Sequence, residues 1–273
     1  MSAFRAACVQ LRSSDDVAQN IETASGLIRE AHALGAEFIA TPENTTLMAP
    51  DGGAKLERSF SEDADPALPA FRALAEELGA WLLIGSLAIK VSATKTANRS
   101  FLIDPKGRIA ARYDKIHLFD TDPGSGERYR ESNTVEGGHC AVTADLPWGR
   151  LGMTICYDLR FARLYRELAQ AGAMVLSVPS AFTETTGKAH WHVLLRARAI
   201  ENGAFVIAPA QGGTHANGRQ TYGHSLIIAP WGEILAEAGT EPGVIVADID
   251  IAAAISARSR VPSLSHDREF EGP

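Results

Sequence analysis

Short apolar runs alternate along the chain with longer segments whose apolar positions recur at helical spacing. Residues 4–10 read as a strand. Residues 15–34 read as a helix, with Ser13, Ser14 or Asp15 as candidate N-caps and Gly35 as its stop. A short buried strand is expected at 37–41, and a helix at 66–78 that Gly79 ends. Residues 81–88 are apolar throughout, as in a strand covered on both faces. Shorter strands follow near 99–104 and 108–113. Residues 119–138 are polar and rich in Gly and Asp, so they read as a long loop, and long ordered loops are often functional. The alternation then restarts, with strands at 140–146 and 150–156, a helix at 161–171 and a strand at 174–178. A helix at 189–202 and strands at 204–210, 222–229, 233–238 and 244–249 complete it, and a polar, extended tail is expected from Arg258.

The second round repeats features of the first. Residues 100–109 (SFLIDPKGRI) match 225–234 (SLIIAPWGEI), the segment 77–81 matches 201–205, and Leu34-Gly35-Ala36 with Pro42 matches Ala171-Gly172-Ala173 with Pro179. Hairpin turns of the D-P-x-G kind are common, but three matches in one order favour a duplicated unit. The pattern predicts an α/β fold. Two sheets related by a pseudo-two-fold, each covered outside by two helices, give a four-layer α-β-β-α sandwich. No linker composition separates the halves, so a single domain over 1–273 is expected, with a core of about 4–251 and a tail of 252–273.

Three of the predicted strands end on a reactive group. The run 150–156 ends at Cys156, 37–43 at Glu43, and 108–114 is followed by Lys115. A lone cysteine is usually a small core residue. A thiol at a strand-to-helix turn differs, because a helix N-terminus favours the thiolate and the next backbone N–H, of Tyr157, is placed to meet an oxyanion. Glu43 beside that thiol is a candidate general base, with partial burial raising its pKa toward the working pH. An exposed loop glutamate is the plain alternative. Lys115 supplies a charged donor for the developing oxyanion, against the usual surface lysine. Cys8 and Cys140 fall inside expected strands and keep the core reading.

Composition narrows the class. Hydrophobic residues at 45% and charged residues at 22% suit a globular chain rather than a disordered one. The net charge of −7 and the absence of a basic stripe argue against a nucleic-acid partner. No apolar run approaches the roughly 18 residues of a membrane helix, and the N-terminus enters a strand directly, without a signal peptide. Three scattered cysteines fit a reducing compartment, so a cytoplasmic protein is expected.

The segments Thr41-Pro42-Glu43, Tyr113-Asp114-Lys115-Ile116-His117-Leu118-Phe119-Asp120 and Gly152-Met153-Thr154-Ile155-Cys156-Tyr157-Asp158-Leu159-Arg160 together resemble the nitrilase superfamily of carbon–nitrogen hydrolases. The resemblance runs from Phe4 to about Ile251. It implies the same four-layer sandwich and a Glu–Lys–Cys triad on Glu43, Lys115 and Cys156. It implies a further glutamate on Glu131, with Glu127 and Glu136 as rivals in the same variable loop. It also implies a homodimer or higher oligomer, and chemistry that needs no cofactor or metal. In the implied mechanism Glu43 takes the thiol proton, Cys156 attacks an amide carbonyl, Lys115 and the Tyr157 N–H hold the oxyanion, and water releases the acid from a thioester. The segments 196–202, 211–215, 222–225 and 230–232 resemble the amidase branch that includes deaminated-glutathione amidase and ω-amidase, closer to the former. Ala229 departs from the Asp common before Pro-Trp-Gly, at a turn. The expected substrate is a small amide with a carboxylate or α-keto acid end. Arg160 and Arg198 are candidate carboxylate binders, against structural ion pairs. His215 and His224 are candidate pocket residues, against solvent-facing ones.

Other signals weigh less. His190 and His192, two residues apart on a helix, face different ways and do not make a metal pair. Asp120 and Asp122 alone are a weak cation signal, and Gln211-Gly212-Gly213 lacks the spacing of a phosphate loop. Competing readings are an acyltransferase or a nitrilase on the same triad, and a non-catalytic binding protein that keeps the fold; the intact triad argues against the last.

Overall fold

The computed structural model describes residues 3–122 and 128–273. The first half runs β1 (Ala3–Gln10), α1 (Val17–Ala33), β2 (Phe38–Ala40), α2 (Gly52–Glu57), α3 (Ala67–Leu78), β3 (Trp81–Lys90), β4 (Thr96–Ile103) and β5 (Ile109–Asp114). Short strands β6 (Asp120–Thr121), β7 (Tyr129–Arg130) and β8 (Val135–Glu136) lie in the expected loop. The second half runs β9 (Val142–Leu146), β10 (Gly149–Met153), α4 (Ala162–Gln170), β11 (Ala173–Ser177), α5 (Glu184–Asn202) and β12 (Phe205–Ala208). It closes with β13 (Gly212–Thr214), β14 (Gln220–Tyr222), β15 (Leu226–Ile228), β16 (Ile234–Glu237), β17 (Gly243–Asp250) and α6 (Ile251–Arg260).

Two sheets form, in the orders β17-β1-β2-β3-β4-β5 and β16-β15-β12-β11-β10-β9. Read from opposite ends, they are the same sheet twice. Each has an antiparallel edge pair, then two parallel pairs, then two antiparallel pairs. The parallel pairs need helical crossovers, which are α1 and α3 in the first half and α4 and α5 in the second. The duplicated segments 100–109 and 225–234 occupy equivalent hairpins, β4–β5 and β15–β16. The four-layer sandwich is therefore a topological repeat. Among the described residues, β17 and β8 break chain order: the last strand returns to the edge of the first sheet, and β8 pairs with β4.

The apolar runs divide their side chains between two cores because successive strand residues face opposite ways. On β3, Leu82 and Ile84 join Ile28, Phe71 and Leu74 beneath α1 and α3, whereas Leu83 turns to the core between the sheets. Cys8 joins that inner core with Phe38, Leu151 and Met153, and the core continues to Trp191 and Leu195 of α5. Each such Leu, Ile or Phe contributes about 1.5–3 kcal/mol through burial.

Several boundaries differ from the sequence expectations. The N-cap of α1 is Asp16, whose carboxylate accepts from the Gln19 N–H; none of Ser13, Ser14 and Asp15 takes that place. Cys140 lies outside any strand and is exposed. Helix α6 runs past the expected core boundary at 251 and takes in the first residues of the tail expected from Arg258, with Ile251, Ala254 and Ala257 burying one stripe; from Val261 the chain is largely exposed. Beyond it, Asp267 and the Ser263 carbonyl bind Arg166 of α4. No helix among the described residues is long and apolar enough to cross a membrane.

Candidate active site

The ends of β2 and β10, one from each sheet, deliver Glu43 and Cys156 to the same rim, and the end of β5 delivers Lys115. Their convergence requires close backbone contact between the halves. Gly85, within β3, makes it possible: a Cβ there would lie 2.0 Å from the Thr41 carbonyl oxygen and 2.6 Å from Cβ of Pro179. Pro179 in turn accepts the Cys156 N–H at 3.0 Å, and the Ala181 N–H donates to Glu43 Oε2 at 2.9 Å. The segment after β11 thus holds both groups.

The strand bearing Cys156 stops at Met153, and the cysteine opens a one-turn 3₁₀ helix, Cys156–Arg160, with φ of 49°. A non-glycine residue in the left-handed region is strained and persists only where its surroundings fix it. Asp158 does the fixing. Its fully buried carboxylate accepts from the Ile155 N–H at 2.9 Å, from Tyr113 Oη at 2.6 Å and from the His117 N–H at 3.0 Å. The last two partners flank Lys115, so one carboxylate ties the cysteine turn to the lysine loop.

Lys115 is 2% exposed. Its Nζ donates to Glu43 Oε1 at 2.9 Å and to Glu131 Oε2 at 2.9 Å and Oε1 at 3.1 Å. Asn98 Nδ2 also bridges the two carboxylates, at 2.8 Å from Glu43 and 3.2 Å from Glu131. The Phe119 N–H donates to Glu131 Oε2 at 2.6 Å. Among the loop glutamates, Glu131 therefore sits at the centre, Glu136 lies on β8, and Glu127 falls outside the described residues.

The charges settle the protonation states. Burial works to raise the Glu43 pKa, but the adjacent Lys115 ammonium outweighs it and holds the carboxyl well below its ordinary value. The expected rise toward neutral pH is thus reversed by a full positive charge at hydrogen-bonding distance. Burial also opposes the Lys115 charge, yet Glu131 and Glu43 together keep it protonated. Cys156 is pushed up, first by burial and then by the charge of the nearby Glu43 carboxylate. The resting centre is a neutral thiol against an ionised base, where a helix N-terminus had suggested a thiolate.

These groups form the floor of a cavity of about 540 Å³. Tyr157 lines it, its ring edge-on to Phe119 at 5.1 Å. The other expected binding residues lie elsewhere. Arg160 packs over Tyr157 and Phe182, at 5.8 and 5.5 Å from the ring centres, behind the cavity wall. Arg198 is buried and spent on the Leu159 carbonyl and on Glu201, the structural alternative. His215 is buried too: Nδ1 meets the Ser13 carbonyl at 2.8 Å and Nε2 meets Thr221 Oγ1 at 2.7 Å. Burial lowers its pKa to about 4, which keeps it neutral. His224 lies at the surface, bonded to Glu237.

Sequence reasoning missed the cations of the wall. Lys55, Arg128, Arg130 and Arg219 all line the cavity, and with Lys115 they outnumber Glu43, Asp51 and Glu131, the carboxylates that line it among the described residues. Arg130 and Arg128 share Asp122, at 3.0 and 3.2 Å. Arg219 donates from Nη2 to the Ala181 carbonyl at 2.8 Å and stacks over Tyr129 at 5.3 Å. Its buried Nε has no partner among the described residues. An unpaired buried donor on a cation is costly in isolation and suits an anionic ligand. The only sequence signal was Asn217-Gly218-Arg219, a turn that projects its arginine.

Comparison with known proteins gives one consistent result. The carbon–nitrogen hydrolase family model matches residues 5–259. The chain is 42% identical over 270 residues to the deaminated glutathione amidase of Synechocystis, covering 97% of this chain and 98% of that protein. It is 35% identical over 268 residues to human omega-amidase NIT2, covering 98% and 96%. Among solved structures, the C. elegans NitFhit protein superposes with a TM-score of 0.92 at 35% identity, covering 98% of this chain and 66% of that one.

Proposed function

Because the chain belongs to the carbon–nitrogen hydrolase family, we propose that its Glu43–Lys115–Cys156 centre hydrolyses the amide bond of a small, carboxylate-bearing substrate through a thioester. The observation that carries this reading is a buried cysteine that shares a cavity floor with a Glu43–Lys115–Glu131 ion-pair cluster, below a wall that carries several cations. The identity of relatives named for amide hydrolysis supports it.

As Sγ of Cys156 bonds to the amide carbon, Glu43 takes the thiol proton, so no free thiolate forms in the buried site. The carbonyl oxygen gains the negative charge. Lys115 meets it by redirecting the hydrogen now held in the longer contact to Glu131 Oε1, and the Tyr157 N–H is the second donor. The C–N bond breaks as the Glu43 acid passes its proton to the departing nitrogen. Water then attacks the thioester, giving its proton to Glu43, and Cys156 leaves and is reprotonated. Glu131 holds Lys115 in place and is a positioning residue in this scheme.

The wall selects the substrate. Arg219, which lines the cavity, receives the far carboxylate, and Lys55 and Arg130 add field. Deaminated glutathione and 2-oxoglutaramate both offer an amide and an anionic end. A panel of amides that includes both, neutral analogues and nitriles, assayed for amine or ammonia release, tests the reading. Preference for the anionic amides, lost in Cys156→Ala, is expected; equal turnover of neutral amides would contradict the role of the wall. Added amine acceptors give no acyl transfer in competition with water if the chain is a hydrolase. We further propose one cytoplasmic domain that assembles as a homodimer or larger oligomer.

A further inference from the structure

Outside the cavity, one cluster of metal-ligating side chains among the described residues remains unexplained by the hydrolase chemistry. His192 projects from α5, His224 from the turn before β15, and Glu237 from the end of β16. Glu237 Oε1 lies 3.0 Å from His192 Nε2 and 2.9 Å from His224 Nδ1, and one ligand atom from each residue lies within 4.8 Å of the others. The comparison of His190 with His192 on one helix could not find this grouping, because its members stand 45 and 13 residues from Glu237 in sequence.

The cluster is built rather than accidental. His224 adopts φ of 53°, a left-handed conformation that its backbone enforces, with its N–H given to the Gly239 carbonyl at 2.8 Å and its own carbonyl accepting from Trp191 Nε1 at 2.7 Å. Such strain in a non-glycine residue calls for a role. Tyr222 stacks on the His224 ring at 4.4 Å, and the same ring faces His192 edge-on at 5.9 Å. The two imidazole centres are 5.7 Å apart, a separation that lets both rings point a nitrogen at one ion. Ligand–metal bonds of about 2.0–2.2 Å place neighbouring ligand atoms of a tetrahedral ion roughly 3.3 Å apart, so an ion would push Glu237 Oε1 slightly away from the two imidazole nitrogens that now stand 3.0 and 2.9 Å from it. All three side chains are partly exposed, leaving a coordination position open to water.

We infer that His192, His224 and Glu237 form a surface site for a divalent transition-metal ion of the zinc class. Two imidazoles and one carboxylate suit zinc, cobalt, nickel or copper rather than magnesium or calcium, which prefer all-oxygen sites. In the metal-bound form His192 carries its proton on Nδ1 and His224 on Nε2, with the facing lone pairs on the ion. The site joins three elements, and one is the base of the arm 215–224 that carries Asn217 and Arg219 into the cavity. An ion there fixes the root of that arm and takes no part in the steps proposed for Cys156, Glu43 and Lys115.

The test is binding, in a Cys140→Ser, Cys156→Ala background that removes the exposed thiol and the cavity thiol. Titration of the full chain with cobalt(II), followed by visible absorption, and with zinc(II), followed by calorimetry, reads stoichiometry and affinity. One equivalent per chain, bound with micromolar affinity and without a thiolate charge-transfer band, is expected. His192→Ala and Glu237→Ala should each weaken binding more than about tenfold, since even outer partners of a metal ligand are worth that much. The Tm should rise with zinc concentration in the parent and not in either variant. His192→Ala keeps the α5 backbone intact, so its fold is checked by its metal-free Tm. Binding that persists unchanged in both variants, or no binding in the parent, overturns the inference.

Discussion

The floor and the wall of the cavity are held in different ways. On the floor, Lys115, Glu43 and Cys156 are buried, and each is fixed by at least one partner that is itself fixed: Asn98 on β4, Ala181 after β11, Asp158 beneath the cysteine turn. On the wall, Arg128 and Arg219 stand on loops and Arg130 on the two-residue strand β7, and they hold a shared counter-charge or an aromatic face. The floor has one protonation state and one geometry. The wall has charge and reach. The difference fits a division in which the floor sets the reaction and the wall sets what enters.

That division can be broken from either side. The largest effect is expected on the floor. Glu43→Gln keeps the shape and removes the base, and should lower kcat by about 10²–10⁴ with little change in KM. A KM effect alone would move Glu43 to the wall. On the wall, Arg219→Met should raise KM for an anionic amide by roughly 10- to 100-fold, the cost of about 1.5–3 kcal/mol for a charge-assisted hydrogen bond, while leaving a neutral amide unaffected. Equal losses on both substrates would mean that Arg219 acts through the fold.

Smaller effects sharpen the boundary. His215 braces the base of the arm that carries Arg219, and its folded pKa of about 4 lies below the unfolded value of roughly 6.5. Between those values the unfolded chain binds the extra proton, so stability is full above about pH 6.5 and falls as pH drops toward 4, by on the order of 3 kcal/mol at most. Chemical denaturation across that range should show the slope, and His215→Gln should flatten it. Least of all, Cys140→Ser should change neither kcat nor Tm, since the thiol is exposed and far in role from Cys156; measurable loss would require a partner for it.

The same contrast explains what could be read from the sequence. Strand ends are legible, because an apolar run that stops on Glu43 or Cys156 states both the burial and the rim. The repeated hairpin sequences likewise stated the two-sheet topology, since each half had to build the same antiparallel end. Loop residues lack such a signal. Arg198 and His215 sit next to informative motifs, yet each turns inward to fixed backbone carbonyls, which only the packing reveals. Arg219 lies four residues beyond His215 and turns the other way. The Cys156 protonation state was misjudged for the same reason. Its local sequence suggested a helix terminus, whereas the long-range charge of Glu43 and the surrounding apolar burial decide it.

The most direct test is the covalent intermediate. Wild-type protein mixed with an anionic amide, quenched in acid during turnover and digested, should yield a mass increase equal to the acyl group on the peptide containing Cys156, and none in Glu43→Gln on the same timescale. Acylation of Cys8 or Cys140 instead, or undiminished turnover in Cys156→Ala, would contradict a reaction carried by the floor.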